Sequence, residues 1–222
     1  MIQIIRPVKQ MTVSPEPDLD RHPFLASVPP ALMALAGRCA VEAGDVLFRI
    51  GDVPRSMLYV TAGEIQLVRR GRDGNGIVLQ RSRGGFVAEA SIDATAYHCD
   101  AVASTAAEVI LFPIVDFRAA LDADRQFHSA WSNNLARVVR TLRAQCERLS
   151  LKTAAERIIH YLESEGEAGA IVLTQSRKAW ATEMGLTHEA LYRTLKRLEA
   201  EGVVEASGNR VALRYPSSVR PA

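Results

Sequence analysis

The sequence lacks most of the signatures that would mark it as an enzyme, a membrane protein or a metalloprotein. Its 222 residues hold three cysteines, Cys39, Cys99 and Cys146, which lie 60 and 47 positions apart. An odd count at such spacing is no disulfide framework, and without a CxxC pair there is no zinc-ribbon or covalent-haem pattern. No run approaches the roughly 18 apolar residues of a membrane span. The opening MIQIIRPVKQ has neither the apolar stretch nor the cleavage site of a signal peptide. The five histidines, His22, His98, His128, His160 and His188, are scattered, and only His98 falls in the strand-like region. There is no Walker loop, GxGxxG or Ser–His–Asp arrangement. Excess charge is missing too: 27 Lys+Arg against 25 Asp+Glu leave +2, which excludes a histone-like polycation. The expectation is a protein of a reducing, cytoplasmic setting with no membrane contact.

What the total hides is an asymmetry. Residues 1–124 carry 12 basic and 15 acidic groups, whereas residues 125–222 carry 15 basic and 10 acidic groups. A footprint on nucleic acid needs a local basic surface rather than a basic average.

Residues 1–21, with Pro7, Pro15 and Pro17, read as an N-terminal tail. HPFL (22–25) and PPALMALAGRC (29–39) read as short helices. Short glycine-punctuated strands follow: VLFRI (46–50), SMLYVTA (56–62), IQLVRR (65–70), GIVLQRS (76–82), CDAVAS (99–104) and EVILFP (108–113). Asp73-Gly74 is a hairpin-turn signature. The pattern predicts an all-β barrel or jelly roll over 22–124.

Residues 114–123 predict a short helix, and Arg125–Ser150 runs on without Gly or Pro. Trp131, Leu135, Val138, Leu142 and Leu149 are spaced 4, 3, 4 and 7, with Val139 and Cys146 beside them and Arg137, Arg140, Arg143 and Arg148 around them. That is a heptad-like seam. The helix either lies on the barrel or pairs with its own copy. Pairing is favoured, because so long an apolar stripe exceeds what one barrel face covers. A dimerisation helix and hinge are therefore expected over 125–152.

A helix over Ala154–Glu163 follows Thr153, its expected cap, with Glu156 completing a capping box. Glu163–Gly169 reads as a loop and IVLT (171–174) as a strand. Residues 176–199 then have the grammar of a helix–turn–helix. Ala179, Trp180 and Met184 face inward, Gly185 makes the turn, and Thr187 caps a second helix whose buried stripe is Leu191, Leu195 and Leu198. The outward face suits the DNA major groove: an arginine can bond a guanine edge, a glutamate can accept from cytosine and a lysine can pair a phosphate. The candidate DNA-contacting set is Arg177, Thr187, His188, Glu189, Tyr192, Arg193 and Lys196. Gly202–Leu213 forms a hairpin about Ser207-Gly208-Asn209, a candidate wing, within a winged helix–turn–helix domain over 153–222. The fold class is α+β: a double-stranded β-helix (jelly-roll) barrel, a long helix and this C-terminal domain.

This order of parts resembles the CRP/FNR superfamily of bacterial transcription regulators. The resemblance rests on Gly44-Asp45, Leu47, Gly51-Asp52, Leu58-Tyr59-Val60, Gly63-Glu64, Glu89 and, most specifically, GLTHEALYRTLKRLEAEGVV (185–204). It implies a homodimer paired through the long helix, a near-palindromic site in double-stranded DNA, and RNA polymerase as a partner. It places His188, Glu189 and Arg193 on the base-reading positions.

The effector region departs from the cAMP-binding pattern. Where those members carry Gly-Glu and then Arg-Ser or Arg-Thr, this chain has Ala88-Glu89 and Cys99-Asp100. The adenine-contacting positions of the long helix are Leu142-Arg143. A phosphate would lose its guanidinium fork and meet a carboxylate, which argues against cAMP. The absence of any cysteine before Cys39 argues against an iron–sulfur cluster. The effector candidates are Glu89, His98, Cys99, Asp100, Leu142 and Arg143. Two alternatives remain: a jelly-roll binding or metal-dependent enzyme module, and a metal or redox sensor on His98-Cys99-Asp100. In a regular strand, His98 and Asp100 would share one face and Cys99 the other.

Overall fold

The computed structural model describes residues 20–70, 76–173 and 175–214. The tail up to Leu19, the Asp73-Gly74 turn, Thr174 and residues 215–222 lie outside the described residues. The chain divides into two units, Met1–Leu135 and Ala136–Ala222.

The first unit is built on two four-stranded antiparallel sheets. One has the order β1 (Gly37–Val41), β8 (Ala107–Pro113), β3 (Ser56–Ala62), β6 (Gly85–Val87). The other has the order β2 (Val46–Phe48), β7 (Asp100–Ala103), β4 (Ile65–Arg70), β5 (Gly76–Ser82). Alternation along the strands sends Val41, Phe48, Leu58, Val60, Ile65, Leu67, Ala101 and Val109 into one core between the sheets. The first sheet is covered on its outer face as well, which is why β3 is buried at four consecutive residues, Met57–Val60. Met57, Tyr59, Phe86, Ile110 and Phe112 lie under Leu32 of α1 (Pro30–Leu35), Phe117 of α2 (Ile114–Ala123), and Phe127 and Trp131 of α3 (Arg125–Ser150). Five of the six phenylalanines gather in this second core. Phe86 and Phe117 meet Trp131 edge-on at 5.0 and 5.1 Å between ring centroids. Asp124 separates α2 from α3, its carboxylate accepting from the N–H groups of Gln126 and Phe127 at 2.8 and 2.9 Å.

Three expectations change. The helix read over 29–39 ends at Leu35, and Gly37–Val41 is a strand pairing with β8. The turn near HPFL is a 3₁₀ turn at Leu25–Ser27. Gly85–Val87 forms a further short strand, β6, which no alternation in the sequence marks.

The second unit contains the end of α3, then α4 (Ala154–Glu165), α5 (Arg177–Glu183), α6 (His188–Ala200) and a sheet of order β10 (Val204–Ser207), β11 (Arg210–Leu213), β9 (Ala170–Val172). α4 starts on the expected capping box of Thr153 and Glu156 and runs one half-turn into the segment read as a loop. Its core is Ile158, Leu162, Trp180, Met184, Leu191, Leu195, Leu198, Val204 and Val211. No helix among the described residues is long and apolar enough to cross a membrane.

Candidate nucleic-acid interface

Two capped helices and a turn build the outward face. The Ser176 hydroxyl accepts from Ala179 N–H at 3.2 Å to start α5, and the Thr187 hydroxyl accepts from Ala190 N–H at 3.1 Å to start α6. Between them Gly185 adopts φ +65°, and a Cβ there would stand 3.1 Å from Leu149 Cδ2 and 3.2 Å from Arg157 Nη1. Trp180 and Met184 face inward as expected, with Ala181 more deeply buried than Ala179.

Burying Leu191, Thr194, Leu195 and Leu198 rotates the other side of α6 outward. His188, Glu189, Tyr192, Arg193 and Lys196 are all exposed there. The Glu189 carboxyl is held below its usual range by its own backbone N–H, then by the Thr187 hydroxyl, with His188 adding a smaller electrostatic contribution. It is ionised at neutral pH and remains a hydrogen-bond acceptor. The wing turn at Gly208-Asn209 joins β10 to β11, and Arg177, half-buried, donates from Nη2 to Gly208 O at 2.9 Å.

Two arginines that the sequence reading did not resolve fix this frame. Arg148, expected beside the seam, is instead buried. It pairs with Glu165 at 2.8 Å, donates to Ser164 Oγ at 3.2 Å, and lies 4.4 Å over the Tyr161 ring. Arg157 lies outside every sequence motif. Its Nε donates to Leu151 O at 3.0 Å, its Nη1 to Met184 O at 3.3 Å and Gly185 O at 3.2 Å, and its Nη2 to Leu149 O at 3.4 Å. One guanidinium thus ties the end of α3 to the helix–turn–helix turn. No sequence motif announces an arginine whose partners are backbone carbonyls.

The seam is shorter than its sequence pattern. Trp131 is buried in the aromatic core of its own chain and Leu135 packs against that core, so both belong to the barrel. Val138 is half-buried. Val139, Leu142, Cys146 and Leu149, spaced 3, 4 and 3, remain as an exposed apolar row, the three aliphatic members 44–46% exposed.

The effector candidates of the barrel do not converge. Cys99 is buried between the sheets, and burial pushes its thiol up, which keeps it protonated and unreactive. His98 is exposed. Asp100 accepts from Ile50 N–H at 2.8 Å, closing β7 onto the end of β2. Among the described residues no group of three or more His, Cys, Asp and Glu is placed to hold a metal. Glu89 is buried, and its carboxylate accepts from Gln80 Nε2 at 3.2 and 3.4 Å. Leu142 and Arg143 are exposed on the second unit.

The sequence matches the family of the cyclic nucleotide-binding domain over residues 38–124 and that of the Crp-like helix-turn-helix domain over residues 155–218, together more than half of the chain. The chain belongs to the CRP/FNR superfamily. It is a DNA-binding transcription regulator of that type rather than an enzyme. Solved CRP/FNR structures share the fold. FixK2 from Bradyrhizobium japonicum is 21% identical, with a TM-score of 0.64 over 81% of this chain and 93% of that one. The c-di-GMP-responsive global regulator CLP of Xanthomonas campestris is 21% identical, with a TM-score of 0.59 over 87% and 99%. A CRP-family regulator from Thermus thermophilus is 22% identical, with a TM-score of 0.54 over 78% and 90%. No curated protein matches the chain.

Membership raises the question of a cyclic nucleotide, and these residues do not fit one. At the positions matching the nucleotide-binding pattern the barrel offers a buried carboxylate, a buried thiol and a second carboxylate, with no cation among them. A cyclic phosphate would meet negative charge where it needs a guanidinium. Ala88, standing where the cAMP-binding members carry glycine, adopts φ +61°, a left-handed conformation that costs a non-glycine residue about 1–2 kcal/mol.

Proposed function

We propose that this CRP/FNR regulator acts in the cytoplasm as a homodimer, paired through the exposed row of α3, and reads a near-palindromic operator with α6. The barrel over 22–124 serves as sensor of an effector other than cAMP, residues 125–152 as dimer helix and hinge, and residues 153–222 as reader. RNA polymerase is a partner by family resemblance. The observation that carries the reading is the outward face of α6, where His188, Glu189, Tyr192, Arg193 and Lys196 stand exposed beside the wing. A helix of this kind enters the major groove, and a symmetric dimer places two of them about one helical turn apart.

Selection from random duplexes at moderate salt should enrich two inverted copies of one half-site. Enrichment of no half-site would overturn the reading. Arg193→Ala should cost about 1–3 kcal/mol and relax one base position, whereas Lys196→Ala should weaken all sequences alike and lower the salt slope by about one. Equal selectivity of wild type and Arg193→Ala would remove the base-reading role.

A further inference from the structure

Tyr192 stands on the outward face of α6, and 48% of its surface is open to solvent. It is nevertheless held from two sides. The Arg177 guanidinium lies 5.5 Å from its ring centroid, and the His188 ring meets it edge-on at 4.7 Å. Arg177 is fixed in turn by its 2.9 Å bond to Gly208 O in the wing turn. The ring is thus contacted from the start of α5 and from the first turn of α6, and the α5 contact is itself tied to the wing turn.

An exposed ring immobilised in this way loses little conformational freedom on contact, which is what a preorganised anchor requires. Apart from its hydroxyl, the side chain is apolar. Of the groups on base edges in the major groove, the C5-methyl of thymine is the apolar one. We infer that Tyr192 is a specificity-determining residue that packs on a thymine methyl in each half-site, and that Arg177 is a positioning residue that holds the ring in place rather than a reader of DNA. This inference rests on the major-groove reading of α6 proposed above.

The test uses the full-length protein and its selected half-site, with each thymine replaced in turn by deoxyuridine, which removes only the methyl group. Wild type should lose about fourfold in affinity at one position, as expected for one buried methyl. Tyr192→Phe should show the same loss and Tyr192→Ala none. Arg177→Gln should lose most of the methyl sensitivity while keeping the base preference that depends on Arg193. Three results would overturn the inference: no thymine sensitive to its methyl in wild type, sensitivity retained in Tyr192→Ala, or sensitivity abolished in Tyr192→Phe. An Arg177→Gln protein that binds every sequence more weakly by one factor, with methyl sensitivity intact, would refute the positioning role. If wild type selects no half-site at all, the major-groove reading itself fails, which is a separate outcome.

Discussion

The two units treat their side chains in opposite ways. The unit up to Leu135 turns its chemistry inward. The buried Glu64 carboxylate is ringed by Arg81, Gln66 and Ser104 at 2.6–2.8 Å and by Arg83 at 2.5 Å. Glu89 and Asp100 are buried as well, and the opening stretch of α3 is covered by its own barrel through Trp131 and Leu135. The unit from Ala136 leaves two faces open, an apolar row on α3 and a polar face on α6. The first unit exposes large apolar residues too, Ile50, Val53 and Val115 among them, but the second carries them as a row along one helix. Within this second unit, Arg148 and Arg157 bind the end of α3 to α4 and to the turn before α6. The exposed row of α3 and the outward face of α6 therefore sit on one framework.

The largest expected effect tests the open apolar row. Leu142→Glu places a charge in a position already exposed in the single chain, so thermal stability of the chain should change little. Pairing should fail. Light scattering should report a monomer, and operator affinity should fall by about 100-fold or more as two linked contacts become one. A variant that stays dimeric with unchanged affinity would show that the row is not an interface.

The next effect tests the closed unit. Glu64→Gln removes the negative charge facing Arg81 and Arg83, and breaking such a buried pair costs about 3 kcal/mol. The loss should appear in unfolding, with the operator selectivity of folded protein unchanged. Burial alone would raise the Glu64 carboxyl, but hydrogen bonds from Ser104 and Gln66 and the charges of Arg83 and Arg81 outweigh it and hold the group below its usual range. A lowered folded value contributes stability that is complete above the unfolded carboxylate value and is lost as pH falls through the folded one. The gap between wild type and Glu64→Gln should therefore be full at neutral pH and close in acid.

Elements long enough to show a period could be read from the sequence. The strands over 56–62, 65–70 and 76–82 and the helices over 114–123 and 125–150 have the bounds their alternation or spacing indicated. The helix–turn–helix was legible because a turn glycine, a capping threonine and a leucine stripe agree with one another. Short or composite pieces were not. A three-residue strand such as β6 cannot display alternation, and β1 follows directly on a helix whose apolar residues continue into it. Nor could periodicity say where along α3 the barrel stops covering it, since Leu135 and Leu142 occupy equivalent places in the same repeat. Arg148 and Arg157 were unreadable for a different reason: a charged residue on a helix signals solvent until its buried partners are known.

The smallest expected effect sharpens the contrast inside the barrel itself. Glu89 is as buried as Glu64, yet burial pushes its carboxyl above the usual range, and its own backbone N–H and Gln80 offset that only in part. The sign is then the reverse. A raised folded value contributes stability that is present below the unfolded carboxylate value and is lost as pH rises through the folded one. Burial weighs against the charged form as pH rises, so Glu89→Gln should stabilise the protein modestly at neutral pH. The difference should vanish below about pH 4, where wild type is protonated as well. Denaturant unfolding at both pH values measures it. A variant less stable than wild type at neutral pH would mean that the carboxylate has the kind of support Glu64 has. The expected gain would mean that the barrel holds this carboxylate against its own folding free energy. Glu89 would then stand apart from Glu64 as a group kept for what it meets rather than for what it holds together.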